Sequence, residues 1–185
     1  SAAEYNLLPI DYYKREEFVL RNAYITAEGA LELTMDRLKR TVKGTNCLIL
    51  GYGRIGKFLA RLLLNLHASV TVAARKGKDL VQAELDGCIP CPLRDLAGCL
   101  PRCDVLYNTI PHLILDQTLL PLVPKSCLCI DLASKPGGID LRAAEQLELE
   151  TIWALGLPGK VAPGSAGQAI VDTVLQILTE QEVSL

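Results

Sequence analysis

A chain of 185 residues, 50% of them hydrophobic, carries enough apolar surface for one sizeable core. Its 19 basic and 21 acidic side chains leave a net charge of −2, which argues against a nucleic-acid surface or a polybasic membrane anchor. No apolar run reaches the length of a membrane span, and no charged-then-apolar leader precedes a small-residue cleavage site, so no membrane association is expected. The expected location is the cytoplasm, with small molecules and proteins as partners.

The chain starts at Ser1 without a Met, and residues 1–9 carry no motif. That start fits a fragment or a processed chain, with residues 1–22 expected as a remnant of, or linker from, an upstream domain and residues 23–185 as the nucleotide-binding unit. Thr26 can cap a helix whose apolar positions Leu31, Met35, Leu38 and Val42 recur every three or four residues, and Gly44 can end it. An apolar strand over residues 47–50 runs into Gly51-Tyr52-Gly53-Arg54-Ile55-Gly56. Leu59, Leu62, Leu63 and Leu66 then follow at helical spacing, and residues 69–73 form a second β-prone run.

Strand, glycine turn, helix and strand together make the βαβ unit of a dinucleotide site. Gly51 allows the tight turn, Gly53 lets backbone N–H groups approach a pyrophosphate, and Gly56 lets the helix pack closely on the strand. Arg54 and Ile55 open that helix, whose N-terminus carries partial positive charge toward the phosphates. NAD-binding versions hold the ribose 2′-hydroxyl with a carboxylate about 20 residues further on. Here no Asp or Glu occurs from Lys57 to Lys78, and Ala74, Arg75 and Lys76 close the second strand instead. An Arg fork suits a 2′-phosphate, so NADP is the expected cofactor and NAD the alternative. The bland reading is that Arg75 and Lys76 only solubilise a loop.

Further along, a helix is expected over residues 79–85, a strand over 88–91, a short helix over 93–100 and a strand over 103–110. Pro111 stops that strand because proline cannot donate to a ladder. Another strand, 126–132, leads into Asp131-Leu132-Ala133-Ser134-Lys135-Pro136-Gly137-Gly138. A short helix at 141–147 and a strand at 150–155 precede Gly156-Leu157-Pro158-Gly159. Ser165 can cap a long amphipathic helix with Ile170, Val171, Val174, Leu175 and Leu178 on one face. The alternation predicts an α/β fold, a Rossmann-type doubly wound parallel sheet with an N-terminal entry helix and a long C-terminal helix. Ligands of such sheets sit beyond the carboxyl ends of the strands, which makes residues 108–112, 131–138 and 156–168 the candidate floor of a site.

Seven cysteines, an odd number lying partly in apolar runs, fit reduced buried thiols. Cys88 and Cys91, followed by Cys99 and Cys103, have the outline of a zinc ligand set, but the two pairs lie too close together for one to be expected. Pro90 and Pro92 bracket Cys91 and argue against a redox motif. No metal is expected.

Four colinear blocks carry a more specific likeness: Ala23-Tyr24-Ile25-Thr26-Ala27-Glu28-Gly29-Ala30, Asn108-Thr109-Ile110-Pro111, residues 131–138 and Gly156-Leu157-Pro158-Gly159-Lys160-Val161-Ala162-Pro163. From about Asn22 to near the C-terminus the chain resembles the dipicolinate synthase A subunits. The resemblance implies a pyridine-dinucleotide enzyme, NADP-linked, that makes dipicolinate from a dihydrodipicolinate-level precursor during bacterial sporulation. It also implies an additional N-terminal domain and a flavoprotein-like B subunit as partner; a homo-oligomer is the expected assembly. More distantly, the entry helix and Gly-x-Gly-Arg-Ile-Gly are similar to the D-2-hydroxyacid dehydrogenases, whose Arg, Glu and His catalytic set has no recognisable counterpart here.

Aromatising a dihydropyridine dicarboxylate needs hydride removal by the cofactor, loss of a ring proton and anchors for two carboxylates. Lys135 on a strand-end loop is the charged candidate, Ser134 and Thr109 can add hydrogen bonds, and Asp131 either takes the proton or pins its loop. His112 is a candidate base because imidazole is a common general base, whereas His67 is expected to be structural. Asn108, Thr109, Ile110 and Pro111 would lie along the cofactor, and Gly156, Leu157 and Pro158 would bound the nicotinamide pocket. Two other readings stand beside this one: an NADP-dependent dehydrogenase of another small acid, and a non-catalytic NADP-binding regulatory or subunit-interaction module.

Overall fold

A computed structural model describes residues 10–182; residues 1–9 of the expected linker and residues 183–185 lie outside the described residues. The elements run α1 (Glu16–Arg37), β1 (Asn46–Leu50), α2 (Arg54–Asn65), β2 (Ser69–Ala74), α3 (Gly77–Leu85), β3 (Ile89–Pro92), α4 (Leu96–Cys99), β4 (Val105–Asn108), β5 (Leu128–Asp131), α5 (Leu141–Gln146), β6 (Thr151–Trp153), α6 (Leu157–Val161) and α7 (Pro163–Glu182). The six strands are all parallel, in the order β3-β2-β1-β4-β5-β6. The chain therefore winds outward from β1 on one side, then restarts at β4 on the other, and the switch point lies between β1 and β4. This is the expected Rossmann-type doubly wound sheet.

The central strands are apolar on both faces because helices cover both. On β1, Cys47 and Ile49 face one core with Val105 and Tyr107 of β4, while Leu48 and Leu50 face a second core with Leu106. The edge strand β3 pairs only with β2, which is why Pro90 and Pro92 are tolerated there. Register aligns Leu50 with Asn108, Asn108 with Asp131 and Asp131 with Trp153. The strand-end segments consequently emerge side by side along one edge of the sheet.

Three helices differ from expectation. α1 begins at Glu16, and Thr26 sits in its interior, buried, donating its hydroxyl to the Asn22 carbonyl at 2.7 Å. A threonine can satisfy itself in this way inside a helix as well as cap one, so it is an ambiguous start signal. Glu16 and Glu17 supply the first-turn negative charge that favours the earlier start. At the other end, Leu38 is already extended and Val42 packs into the core from beyond the helix.

α7 begins at Pro163, which leaves Ser165 inside the first turn; proline is well suited to a first turn because its N–H would be unpaired there anyway. Its buried positions are Ala169, Thr173 and Ile177, with Ile170 half-buried, while Val171, Val174, Leu175 and Leu178 are exposed. Small and branched residues at a spacing of four make the actual contact, and the larger apolar side chains lie beside it. α6 is a helix where the sequence suggests a loop; Gly156 in a left-handed conformation and Pro158 in the first turn start it.

α1 is tied to the sheet by a buried polar contact, Thr34 Oγ1 to Tyr107 Oη at 2.6 Å. No helix among the described residues is long and apolar enough to cross a membrane.

Candidate cofactor and substrate cleft

The glycine turn joins β1 to α2 at the switch point. Gly51 has φ +93° and donates its N–H to the Ala73 carbonyl at 2.9 Å; a Cβ here would lie 2.5 Å from Thr109 Oγ1. Gly56 packs against the carbonyl oxygen of Gly51, which a Cβ would collide with. Gly53 differs from both, since a Cβ there would meet nothing among the described residues within 4 Å. It caps α2 with φ −81°, no side chain caps the helix, and no acidic residue lies in its first turn. The free N–H groups and the uncompensated helix dipole therefore face open space, as a pyrophosphate site requires.

Two adjoining cavities extend from this turn along the strand ends. One of about 280 Å³ is lined by Gly53, Arg54, Ile55 and Thr109 together with Val19, Asn22 and Ala23 of α1. The other, of about 540 Å³, is lined by Asn22, Ile55, Ser134, Gly156, Leu157 and Pro158 among others. A further groove of about 460 Å³ runs between Leu20, Tyr24, Phe58 and Ala169, and Ser165 and Gln168 of the expected 156–168 segment line it from the first turns of α7. Its lining includes no residue of the glycine turn.

The loop after β5 is held from below. Asp131, 1% exposed, accepts the Ala133 N–H at 3.0 Å and the Asn108 side-chain amide at 2.8 Å on Oδ1, and the Gly138 and Ile139 N–H groups at 2.7 and 3.2 Å on Oδ2. Asn108 is fully buried, donates also to the Ile110 carbonyl and accepts the Ile110 N–H. Both side chains thus hold backbone rather than reach into the cleft. The Trp153 indole donates to the Ala133 carbonyl at 3.0 Å and buttresses the same loop. Ile114 and Leu115 donate to the Gly138 carbonyl, joining the loop after β4 to the loop after β5. The Lys135–Pro136 peptide is cis.

Of the other expected residues, Ser134 faces the larger cavity, and Lys135 is exposed on the same loop. His112 and Pro111 are exposed on the neighbouring loop, and Ile110 is half-buried. His112 lines neither cavity. Thr109 lines the smaller cavity while its hydroxyl donates to the Leu50 carbonyl at 2.8 Å. Ala74 is buried at the end of β2; Arg75 and Lys76 are exposed just beyond it, and neither side chain has an ion-pair partner among the described residues. Arg54 forms a two-bond pair with Glu16 at 2.6 and 2.7 Å, which holds the Glu16 carboxyl below its ordinary range. Both partners are exposed, so the pair is weak and available for exchange.

Sequence reading missed Asn22, Val19 and Trp153. The signal for the first two was the true start of α1, which carries them onto the cleft wall. All seven cysteines are free thiols; Cys91 and Cys99 lie with their sulfurs 2.7 Å apart, and Cys103 and Cys127 at 3.5 Å.

The switch-point cleft, open helix N-terminus and doubly wound sheet define a nicotinamide-dinucleotide-binding domain of the dehydrogenase type. The chain belongs to the family described as D-isomer specific 2-hydroxyacid dehydrogenase, NAD binding domain, which it matches over residues 19–133. It is 34% identical over 171 residues to the A subunit of dipicolinate synthase of Bacillus subtilis (strain 168), covering 92% of this chain and 58% of that protein. The crystal structure of the dipicolinate synthase A subunit from Bacillus halodurans superposes with a TM-score of 0.91 at 34% identity, covering 96% of this chain and 61% of that one. The crystal structure of its Bacillus subtilis counterpart gives 0.94 at 33% identity, covering 100% and 62%. A transhydrogenase from Sinorhizobium meliloti, 14% identical with a TM-score of 0.79 over 95% of this chain and 59% of its own, shares the fold alone. The resemblance to dipicolinate synthase A subunits is borne out, and the chain spans roughly 60% of the length of these relatives.

Proposed function

We propose that this chain is the cofactor-binding part of an NADP-linked oxidoreductase of the dipicolinate synthase type. The cofactor choice rests on Arg75 and Lys76, two exposed cations without ion-pair partners among the described residues at the end of β2, in a stretch without a carboxylate between Lys57 and Lys78. A 2′-phosphate gives the Arg75 fork a bidentate partner that a bare ribose hydroxyl does not. The test is parallel calorimetric titration with NADPH and NADH, repeated on Arg75→Ala. NADPH should bind more tightly, and the substitution should cost it roughly tenfold while leaving NADH unchanged. Equal binding of the two dinucleotides to the unaltered chain would remove the NADP assignment.

The substrate half of the proposal is supported by the 34% identity to the A subunit of dipicolinate synthase. The reaction is oxidation of a dihydrodipicolinate-level precursor to dipicolinate in the cytoplasm of a sporulating bacterium, with the dipicolinate synthase B subunit as a partner and a homo-oligomer as the assembly. When bound, the nicotinamide takes the hydride. Lys135 and Ser134 anchor the substrate carboxylates from the loop that Asp131 pins. Asp131 has both oxygens engaged by N–H donors and acts by positioning; His112, exposed on the loop tied to it through Gly138 and outside the lining of both cavities, is carried forward from the sequence as the candidate proton acceptor. Thr109, Ile110 and Pro111 border the nicotinamide-side ribose, and Gly156, Leu157 and Pro158 close the ring pocket. NADPH formation dependent on dihydrodipicolinate, assayed with this chain and with the B subunit added, tests this half. The family match favours oxidation of a D-2-hydroxyacid as the second reading, which the same assay with such acids distinguishes.

A further inference from the structure

Asn22 belongs to neither the glycine turn nor a strand-end loop, yet it lines both cavities of the cleft; among the described residues only Ile55 does the same. Its backbone carbonyl is fixed by the Thr26 hydroxyl at 2.7 Å within α1. Its side-chain amide is half-buried and has no hydrogen-bond partner among the described residues. The cavities it lines present apolar Val19, Ala23, Ile55 and Phe18 and also polar Arg54, Thr109 and Ser134, none of which is hydrogen-bonded to the Asn22 amide. A carboxamide offers one acceptor and two donors in a plane. Half-buried and without a protein partner among the described residues, such an amide loses water contacts that a ligand can restore.

The cavities meet where the phosphate end of the cleft, at Gly53, gives way to the ring end, at Ser134 and Gly156. We propose that Asn22 is a specificity-determining residue that recognises a planar carboxamide or carboxylate carried on a pyridine ring at this junction. The inference rests on the proposed function, which supplies two such rings: the nicotinamide of the cofactor and the dicarboxylate substrate or product. Toward a carboxamide Asn22 both donates and accepts; toward a carboxylate it donates alone. Among the described residues, no other side chain lining the smaller cavity carries an amide.

The test uses the full chain, loaded with NADPH, NADP⁺ with pyridine-2,6-dicarboxylate, or 2′-phospho-ADP-ribose, which lacks the nicotinamide. Asn22→Ala on a helix face should preserve the fold, as thermal melting would verify. If the partner is the nicotinamide carboxamide, Asn22→Ala weakens NADPH roughly tenfold and leaves 2′-phospho-ADP-ribose unchanged, and Asn22→Asp, which keeps an acceptor, recovers part of the loss. If the partner is the ring carboxylate, NADPH binding is unchanged, dicarboxylate binding to the NADP⁺-loaded chain falls at least tenfold, and Asn22→Asp falls further through charge repulsion. Unaltered binding of all three ligands to Asn22→Ala overturns the inference while the proposed function stands. Failure of the unaltered chain to bind NADPH overturns both.

Discussion

Asp131 and Gly138, seven residues apart, are joined by a 2.7 Å hydrogen bond from the Gly138 N–H to Asp131 Oδ2, and that bond closes the loop that carries Ser134 and Lys135. Gly138 must be glycine because a Cβ would strike the Asn108 amide, and the Asn108 amide in turn donates to Asp131. The three residues form one buried unit beneath the cleft.

Asp131→Asn places an amide where the buried carboxylate accepts backbone N–H groups, setting donor against donor. The variant should lose roughly 2–3 kcal/mol of stability, read as a lower urea midpoint at unchanged slope. Stability equal to the unaltered chain would show that the loop does not depend on this carboxylate.

Thr34→Val removes the oxygen that meets Tyr107 Oη at 2.6 Å and leaves that fully buried phenol with the weak Cys47 thiol as its one remaining partner among the described residues. Burial already holds the Tyr107 pKa well above its ordinary value, so the phenol stays neutral and the cost is that of an under-satisfied hydroxyl, about 1–3 kcal/mol. Denaturant titration of Thr34→Val, alone and combined with Tyr107→Phe, separates the pair: the double variant should recover part of the loss.

Stability should fall in alkali. Burial, reinforced by Asp104, pushes the Cys47 thiol from an ordinary 9.0 up to about 12. The stabilisation is complete below pH 9, where both states keep the proton. Above it the unfolded thiol ionises first, and the contribution is lost as the pH rises toward about 12. The slope is roughly 1.4 kcal/mol per pH unit for one such group. Melting temperatures between pH 8 and 11 should drop more steeply for the unaltered chain than for Cys47→Ala; parallel slopes would remove Cys47 as the cause.

The βαβ unit was legible because its signals are local: β1, the glycine turn and α2 follow from apolar runs and from glycines whose steric reasons reappear as contacts at Gly51 and Gly56. The strand-end segments were legible as a class because parallel strands must all end on one edge. Less legible were the ends of α1 and α7, where Thr26 and Ser165 look like caps and lie inside helices, since the first acidic turn and a first-turn proline decided the starts. Asp131 could be read only as an acid or a pin, because the donors that engage it, from Asn108 and Gly138, come from tertiary closure. Asn22 was invisible for the same reason: nothing in its own neighbourhood of sequence says that α1 forms a wall of the cleft.

Gly53 supplies the most direct test of the cleft as a dinucleotide site. Its φ of −81° suits any residue and a Cβ there meets no atom of the described residues within 4 Å, so Gly53→Asp should fold normally, with aspartate a good cap for α2. The new carboxylate would stand where the pyrophosphate is expected. Calorimetric titration with NADPH should show binding to the unaltered chain and at least a hundredfold loss in Gly53→Asp at equal melting temperature, a difference of roughly 2.8 kcal/mol. Equal affinity in the two proteins would contradict the account, because the nucleotide would then bind somewhere other than the mouth of the glycine turn.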